Sequence, residues 1–111
     1  MKHLTKLEES VLLGVLRLGD NAYIVSIKTI LDKYLGRDIS FGALYLSLNR
    51  LTRDGYLETK IGEATSQPGG RAKKYYRITR PGALKLNEIR RLQRVMWEGF
   101  DDLFRRILEK G

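Results

Sequence analysis

The residues whose types and spacing best suit a chemical task lie in Gly69-Gly70-Arg71-Ala72-Lys73-Lys74, where three cations stand beside two glycines. Glycines let a backbone approach another surface closely, and cations placed there suit the phosphates or the minor groove of a polyanion. A second group occupies residues 41–54. On a helical wheel at about 100° per residue, Phe41, Leu44, Leu48 and Leu51 share one arc with Tyr45 at its edge. Gly42, Ala43, Leu46, Ser47, Asn49, Arg50 and Arg53 fall on the opposite arc. Small residues come first there, then hydrogen-bonding and cationic ones, a pattern that suits contact with a groove. Bond-making chemistry has far less to draw on. Cysteine is absent and His3 is the single histidine, so thiolate metal sites and cysteine nucleophiles are excluded and a Ser/His pair has almost nothing to work with. No catalytic residue, metal or cofactor is expected.

The charge balance points the same way. Lys and Arg number 21 against 13 acids, a formal +8 over 111 residues. Such a field attracts nucleic acid first and an anionic membrane surface second, with plain solubility as the bland alternative. No apolar run approaches the roughly 20 residues of a membrane span and nothing resembles a signal peptide. No membrane partner is therefore expected, and the expected location is the cytoplasm.

The elements that must position these residues follow from period and punctuation. Thr5 and Glu8 have capping-box spacing, and Leu7, Val11, Leu12, Val15, Leu16 and Leu18 recur at helical spacing as a core face. Gly19, Asp20 and Asn21 interrupt, with Asp20 or Asn21 available to cap a second helix. That helix carries Tyr23, Ile24, Ile27, Ile30, Leu31 and Tyr34 on one side and stops near Gly36. Ser40 caps a third helix that Gly55 closes. The period then changes: Tyr56–Ile61 and Lys74–Thr79 suit two strands of a hairpin around a Gly- and Ser-containing loop at 62–72. Thr79 caps a final helix with Pro81 in its first turn.

In that last helix Leu86, Ile89, Leu92, Met96, Phe100, Leu103 and Ile107 step by three or four, with Val95, Phe104 and Leu108 widening the stripe. About 29 residues would make a rod on the order of 40 Å, longer than so small a domain can cover. The seven stripe residues are therefore expected to pack on a second copy. Gly99 is unusual in a helix interior, and close contact, a kink or room for a ligand would each explain it. The chain is expected to be mainly α with a small β-hairpin: a winged helix-turn-helix over 1–79 and a long C-terminal dimerisation helix over 80–111.

Several stretches resemble the PadR-like transcriptional regulators. Leu35 to Leu57, with Ser40-Phe41-Gly42-Ala43-Leu44-Tyr45, Arg50-Leu51 and Asp54-Gly55-Tyr56-Leu57, is similar to that family's recognition-helix signature. Gly69 to Thr79 followed by Gly82 is similar to its wing, and Asn21-Ala22-Tyr23 fits ahead of the second helix. The match spans roughly residues 4 to 85, and Ile24 departs from the glycine of the family pattern. The resemblance implies a homodimeric bacterial repressor of the short subfamily, some members of which hold flat aromatic compounds between the C-terminal helices with help from a Trp.

On that reading the partner is double-stranded DNA. Ser40 and Gly42 sit at the tip of the reading helix, and Ala43, Leu46 and Ser47 are candidates for base edges, Leu46 against a thymine methyl. Asn49 either reads adenine or is a spectator. Tyr45 is either a core residue or a phosphate ligand, the family pattern favouring phosphate. Arg50 and Arg53 either clamp phosphate or form a solvated face. Arg71, Lys73 and Lys74 are the main electrostatic candidates, with Lys60 and Arg77 adding to them. Trp97 either packs in the dimer or stacks a small aromatic effector. Two other functions fit the same layout, a winged-helix protein–protein module and a non-specific nucleic-acid binder. A single-stranded RNA binder fits poorly, since the third helix lacks exposed stacking aromatics.

Overall fold

A computed structural model describes residues 3–62 and 72–110. In chain order it contains α1 (Lys6–Leu18), a 3₁₀ turn (Gly19–Asn21), α2 (Ile24–Leu35), α3 (Phe41–Arg53), β1 (Leu57–Ile61), β2 (Lys74–Ile78), α4 (Arg80–Trp97) and α5 (Asp101–Glu109). The start of α1 forms the expected capping box: Glu8 N–H donates to Thr5 Oγ1 at 3.0 Å, and Thr5 N–H to Glu8 Oε1 at 2.9 Å. Val11, Leu12 and Val15 then enter the core beside Ile27 and Leu31 of α2 and Leu44, Leu48 and Leu51 of α3. Leu16 and Tyr34, expected in the core, are exposed instead. At about 100° per residue, Leu16 lies a quarter turn from the centre of the arc buried by Glu8, Val11, Leu12 and Val15.

The approach to α2 also differs from expectation. Neither Asp20 nor Asn21 caps that helix; its N-cap is Tyr23, held in extended backbone. Ser26 Oγ accepts the Tyr23 N–H at 3.0 Å. The extended conformation has a use, because Ala22 O accepts the Tyr76 N–H at 2.8 Å and Tyr23 bridges to Tyr75. The antiparallel hairpin, in register Leu57↔Ile78 through Ile61↔Lys74, is thus stitched to the start of α2. Packing of the wing competed with a side-chain cap and won.

The hairpin also seats the last helical region. Thr79 Oγ1 accepts the Gly82 N–H at 3.1 Å and donates to Gly55 O at 2.6 Å. A Cβ on Gly82 would lie 2.3 Å from Tyr56 O, so this glycine is required for close approach of α4 to the hairpin. Leu86, at 8% exposure, completes the core. That corrects its assignment to the dimer stripe: the first turns of α4 belong to the winged unit. The single long helix is corrected as well. Glu98 is extended and Gly99 takes φ +87°, which ends α4 and redirects the chain into α5. Without a Cβ, glycine adopts that conformation at no steric cost. Phe104 folds back toward Trp97 and Phe100, with ring centroids 6.0 Å apart in each pair. The molecule is 61 Å long, 31 Å wide and 22 Å deep, and among the described residues no helix is long and apolar enough to cross a membrane.

Candidate nucleic-acid interface

The third helix owes its start and its inward face to its own sequence. Ser40 Oγ accepts the Ala43 N–H at 3.1 Å and fixes the first turn. Leu44, Leu48 and Leu51 pull one face into the core, and Gly55, at φ +85°, ends the helix by turning the chain toward β1. What is left outward is a strip of Gly42, Leu46, Asn49 and Arg53, flanked by Tyr45 on one side and Arg50 on the other, all exposed. Leu46 is 69% exposed, a large apolar side chain left on the outer face of the helix. Ser40 is exposed at the tip.

Two of the expected base-edge candidates do not join this strip. Ser47 is 7% exposed. Its position lies about 65° from the centre of the arc that Leu44, Leu48 and Leu51 define at 100° per residue, inside the core-facing half of the helix. Ala43 is half-buried and packs on the core. Small side chains carry weak directional signal on a wheel, because either environment tolerates them.

The cations divide by whether the protein already engages them. Arg50 Nη1 lies 3.7 Å from Glu8 Oε2, and that carboxylate is almost fully buried at the base of α1. A buried carboxylate needs a partner, so Arg50 is tied to the scaffold at least as much as it is offered outward. Arg77 pairs with Glu58 directly across the hairpin, Nε to Oε1 at 2.7 Å. Arg53 Nε lies 4.0 Å from Asp54 Oδ1 and its side chain is largely exposed. Lys60 is exposed on β1.

Lys73 Nζ stands 4.4 Å from the Tyr23 ring centroid, and Tyr23 meets Tyr75 edge-on at 5.7 Å. Lys74 Nζ is 5.8 Å from the Tyr76 ring. Burial, and secondarily Tyr45, pushes the Tyr76 phenol above its ordinary pKa, and the ring packs from β2 into the core. Arg71 lies outside the described residues. The Tyr23–Lys73–Tyr75 cluster was not legible in the sequence, since nothing in local spacing pairs residue 23 with residue 75.

The C-terminal stripe is divided. Leu86 is in the core and Ile89 is half-buried, whereas Leu92, Met96, Phe100, Leu103 and Ile107 are exposed together with Val95, Phe104 and Leu108. Trp97 is 64% exposed beside the break at Gly99. A second apolar surface went unnoticed in the sequence. Leu13, Gly14, Leu16, Ile30, Leu31, Tyr34 and Leu35 line a groove of about 490 Å³ between α1 and α2. The signal was present in the leucines at 13 and 16, which fall off the α1 core arc.

Comparison with known proteins places this geometry among transcriptional regulators. The model of the transcriptional regulator PadR-like family matches residues 12–88. No curated protein matches the chain. Among solved structures, it is similar to a PadR-like transcriptional regulator from Bacillus cereus, with 26% identity, 88% of this chain and 90% of that one covered, and a TM-score of 0.70. A PadR-like transcription factor from Bacteroides fragilis is 29% identical over 91% of this chain and 88% of that one, with a TM-score of 0.64. Bacillus subtilis PadR in complex with operator DNA is 23% identical, with a TM-score of 0.63, and the match covers 76% of this chain and 46% of that one.

Proposed function

This chain belongs to the transcriptional regulator PadR-like family, and from that premise we propose that it is a homodimeric repressor that binds double-stranded DNA sequence-specifically and catalyses nothing. The observation that carries the reading is the outward strip Gly42–Leu46–Asn49–Arg53 on a helix whose opposite face is locked in the core. A helix so presented fits a major groove about 12 Å wide. Leu46 supplies an apolar contact for a thymine methyl, Asn49 a donor–acceptor pair for adenine, and Tyr45 and Arg53 contacts to phosphate. Lys73 and Lys74 extend the positive surface along the wing, and Arg71 is proposed from the sequence as a further phosphate contact.

In this proposal residues 1–79, with the first turns of α4 packed against them, read DNA, and the remainder of residues 80–111 holds two copies together. Support for the dimer comes from the exposed row Leu92, Met96, Phe100, Leu103 and Ile107, an apolar surface that a single chain leaves uncovered. Trp97, exposed next to Phe104 and Met96, offers a flat face on which a small aromatic effector would stack and release the operator. The setting is the bacterial cytoplasm.

Selection of bound duplexes from a random-sequence pool at near-physiological salt tests the reading. A two-fold symmetric motif with half-sites about one helical turn apart is expected. Retention of DNA without any enriched sequence would leave a non-specific nucleic-acid binder, and no retention would leave a protein–protein module.

A further inference from the structure

Reading a groove requires α3 to stand at a fixed pitch to α2, and the turn from Gly36 to Ser40 separates the two helices. Lys28, in the second turn of α2, reaches across it. Its Nζ donates to Asp32 Oδ2 at 2.6 Å, to Ile39 O at 2.9 Å and to Asp38 Oδ1, and it lies 5.6 Å from the ring centroid of Phe41, the first residue of α3. Asp32 Oδ1 in turn accepts the Ile39 N–H at 2.8 Å. Both backbone polar groups of Ile39 are therefore held by one ion pair of α2. The Ile39 side chain is anchored in the core, and the next residue, Ser40, is the N-cap of α3.

We propose that Lys28 and Asp32 are positioning residues for groove reading: their ion pair fixes the Ile39 backbone, and through it the pitch of α3, so sequence-specific binding depends on the pair far more than non-specific binding does. The inference rests on the reading of α3 as the DNA-reading helix. An ordinary surface ion pair would contribute little. This one differs because Lys28 is only 19% exposed and each carboxylate oxygen of Asp32 has its own hydrogen bond. The lever arm is long. Asn49 stands about 12 Å along α3 from its first residue, Phe41, so a tilt of about 10° there moves Asn49 by about 2 Å. A shift of that size separates a side chain from a base edge, while phosphates remain within reach of mobile cations.

Lys28→Met and Asp32→Ala in the full chain test this, because the first removes a positive charge and the second a negative one. Affinities are measured for the duplex that the wild type selects and for a scrambled duplex of the same length. Loss of position lowers affinity for the selected duplex about tenfold or more in both variants, with scrambled-duplex affinity changed much less. Amide exchange at Ile39 and Ala43 in the free protein is expected to accelerate in Asp32→Ala.

Opposite shifts in the two variants would overturn the proposal in favour of a net-charge effect. Equal losses on both duplexes that follow a fall in Tm would overturn it in favour of plain stability. A wild type that selects no duplex would overturn the groove-reading premise together with this role, and it does so before any variant is made.

Discussion

At the scale of single residues, exposure and existing partners decide which side chains are free to recognise anything. Leu46 is the sharpest case, a leucine on the outside of a helix whose inner face already has three leucines buried. Leu46→Ala is expected to lower affinity for the selected duplex several-fold with Tm unchanged or raised, measured by fluorescence anisotropy and thermal melting. A fall in Tm of several degrees would mean that Leu46 packs somewhere after all. Lys73 and Lys74 carry a different kind of contact. Each change to Ala is expected to weaken selected and scrambled duplexes alike and to reduce the salt slope by about 1. An unchanged slope would remove them from the phosphate contacts. Gly82 is a purely structural position: its Cβ would meet Tyr56 O at 2.3 Å. Gly82→Ala should therefore destabilise the chain by about 1–3 kcal/mol, read as a lower urea midpoint.

At the scale of elements, two junctions matter more than the helices they join. The α2–α3 turn is held by charges whose titration can be followed. The Lys28 hydrogen bond, then the Ile39 N–H, holds the Asp32 carboxyl below its ordinary pKa. Hydrogen bonds to Asp32 and Asp38 hold the Lys28 ammonium above its own. A lowered carboxylate contributes stability that is present above the unfolded value near 4 and lost as pH falls through the folded value. A raised ammonium contributes stability that is present below about 10.5 and lost as pH rises through the folded value. The stability deficit of Asp32→Ala should thus be flat from about pH 5 to 9 and shrink below about pH 4. A deficit that persists undiminished at pH 2 would mean that charge is not what the pair contributes.

The α4–α5 junction turns on Gly99. Alanine there would strain a backbone at φ +87°, and the relief open to the chain is to run α4 straight into α5. Gly99→Ala is expected to raise helix content by circular dichroism. No change would show the turn to be held by Trp97, Phe100 and Phe104 instead.

At the scale of the whole molecule, one chain of this shape leaves apolar rows on α4 and α5 and an apolar groove between α1 and α2 uncovered. The proposed dimer has a direct measurement, mass in solution by light scattering. A wild type of two chains, reduced to one by Met96→Asp combined with Phe100→Asp, is the expected result. A wild-type mass of one chain would refute it. Leu86 is not a suitable target, because it lies in the core of the winged unit and its loss would be read as unfolding.

What the sequence determined by itself was local. Capping at Thr5, Ser40 and Thr79, the end of α2 at Gly36, the turn at Gly55 and the hairpin strands to within a residue all follow from side chains that reach their own neighbours. The outward residues Gly42, Leu46, Asn49 and Arg53 were legible for the same reason, since the leucines at 44, 48 and 51 set the helix phase. Tertiary structure decided whatever depends on which neighbour arrives from a distance. It buried Ser47 and Leu86, left Leu16 and Tyr34 outside, gave Arg50 to Glu8 and drew Tyr23 to the wing. It also turned the last helix at Gly99 and closed Lys28 and Asp32 around Ile39. Spacing along a chain specifies the phase of a helix, whereas an ion pair or a buried face is specified only when a second element supplies the other half.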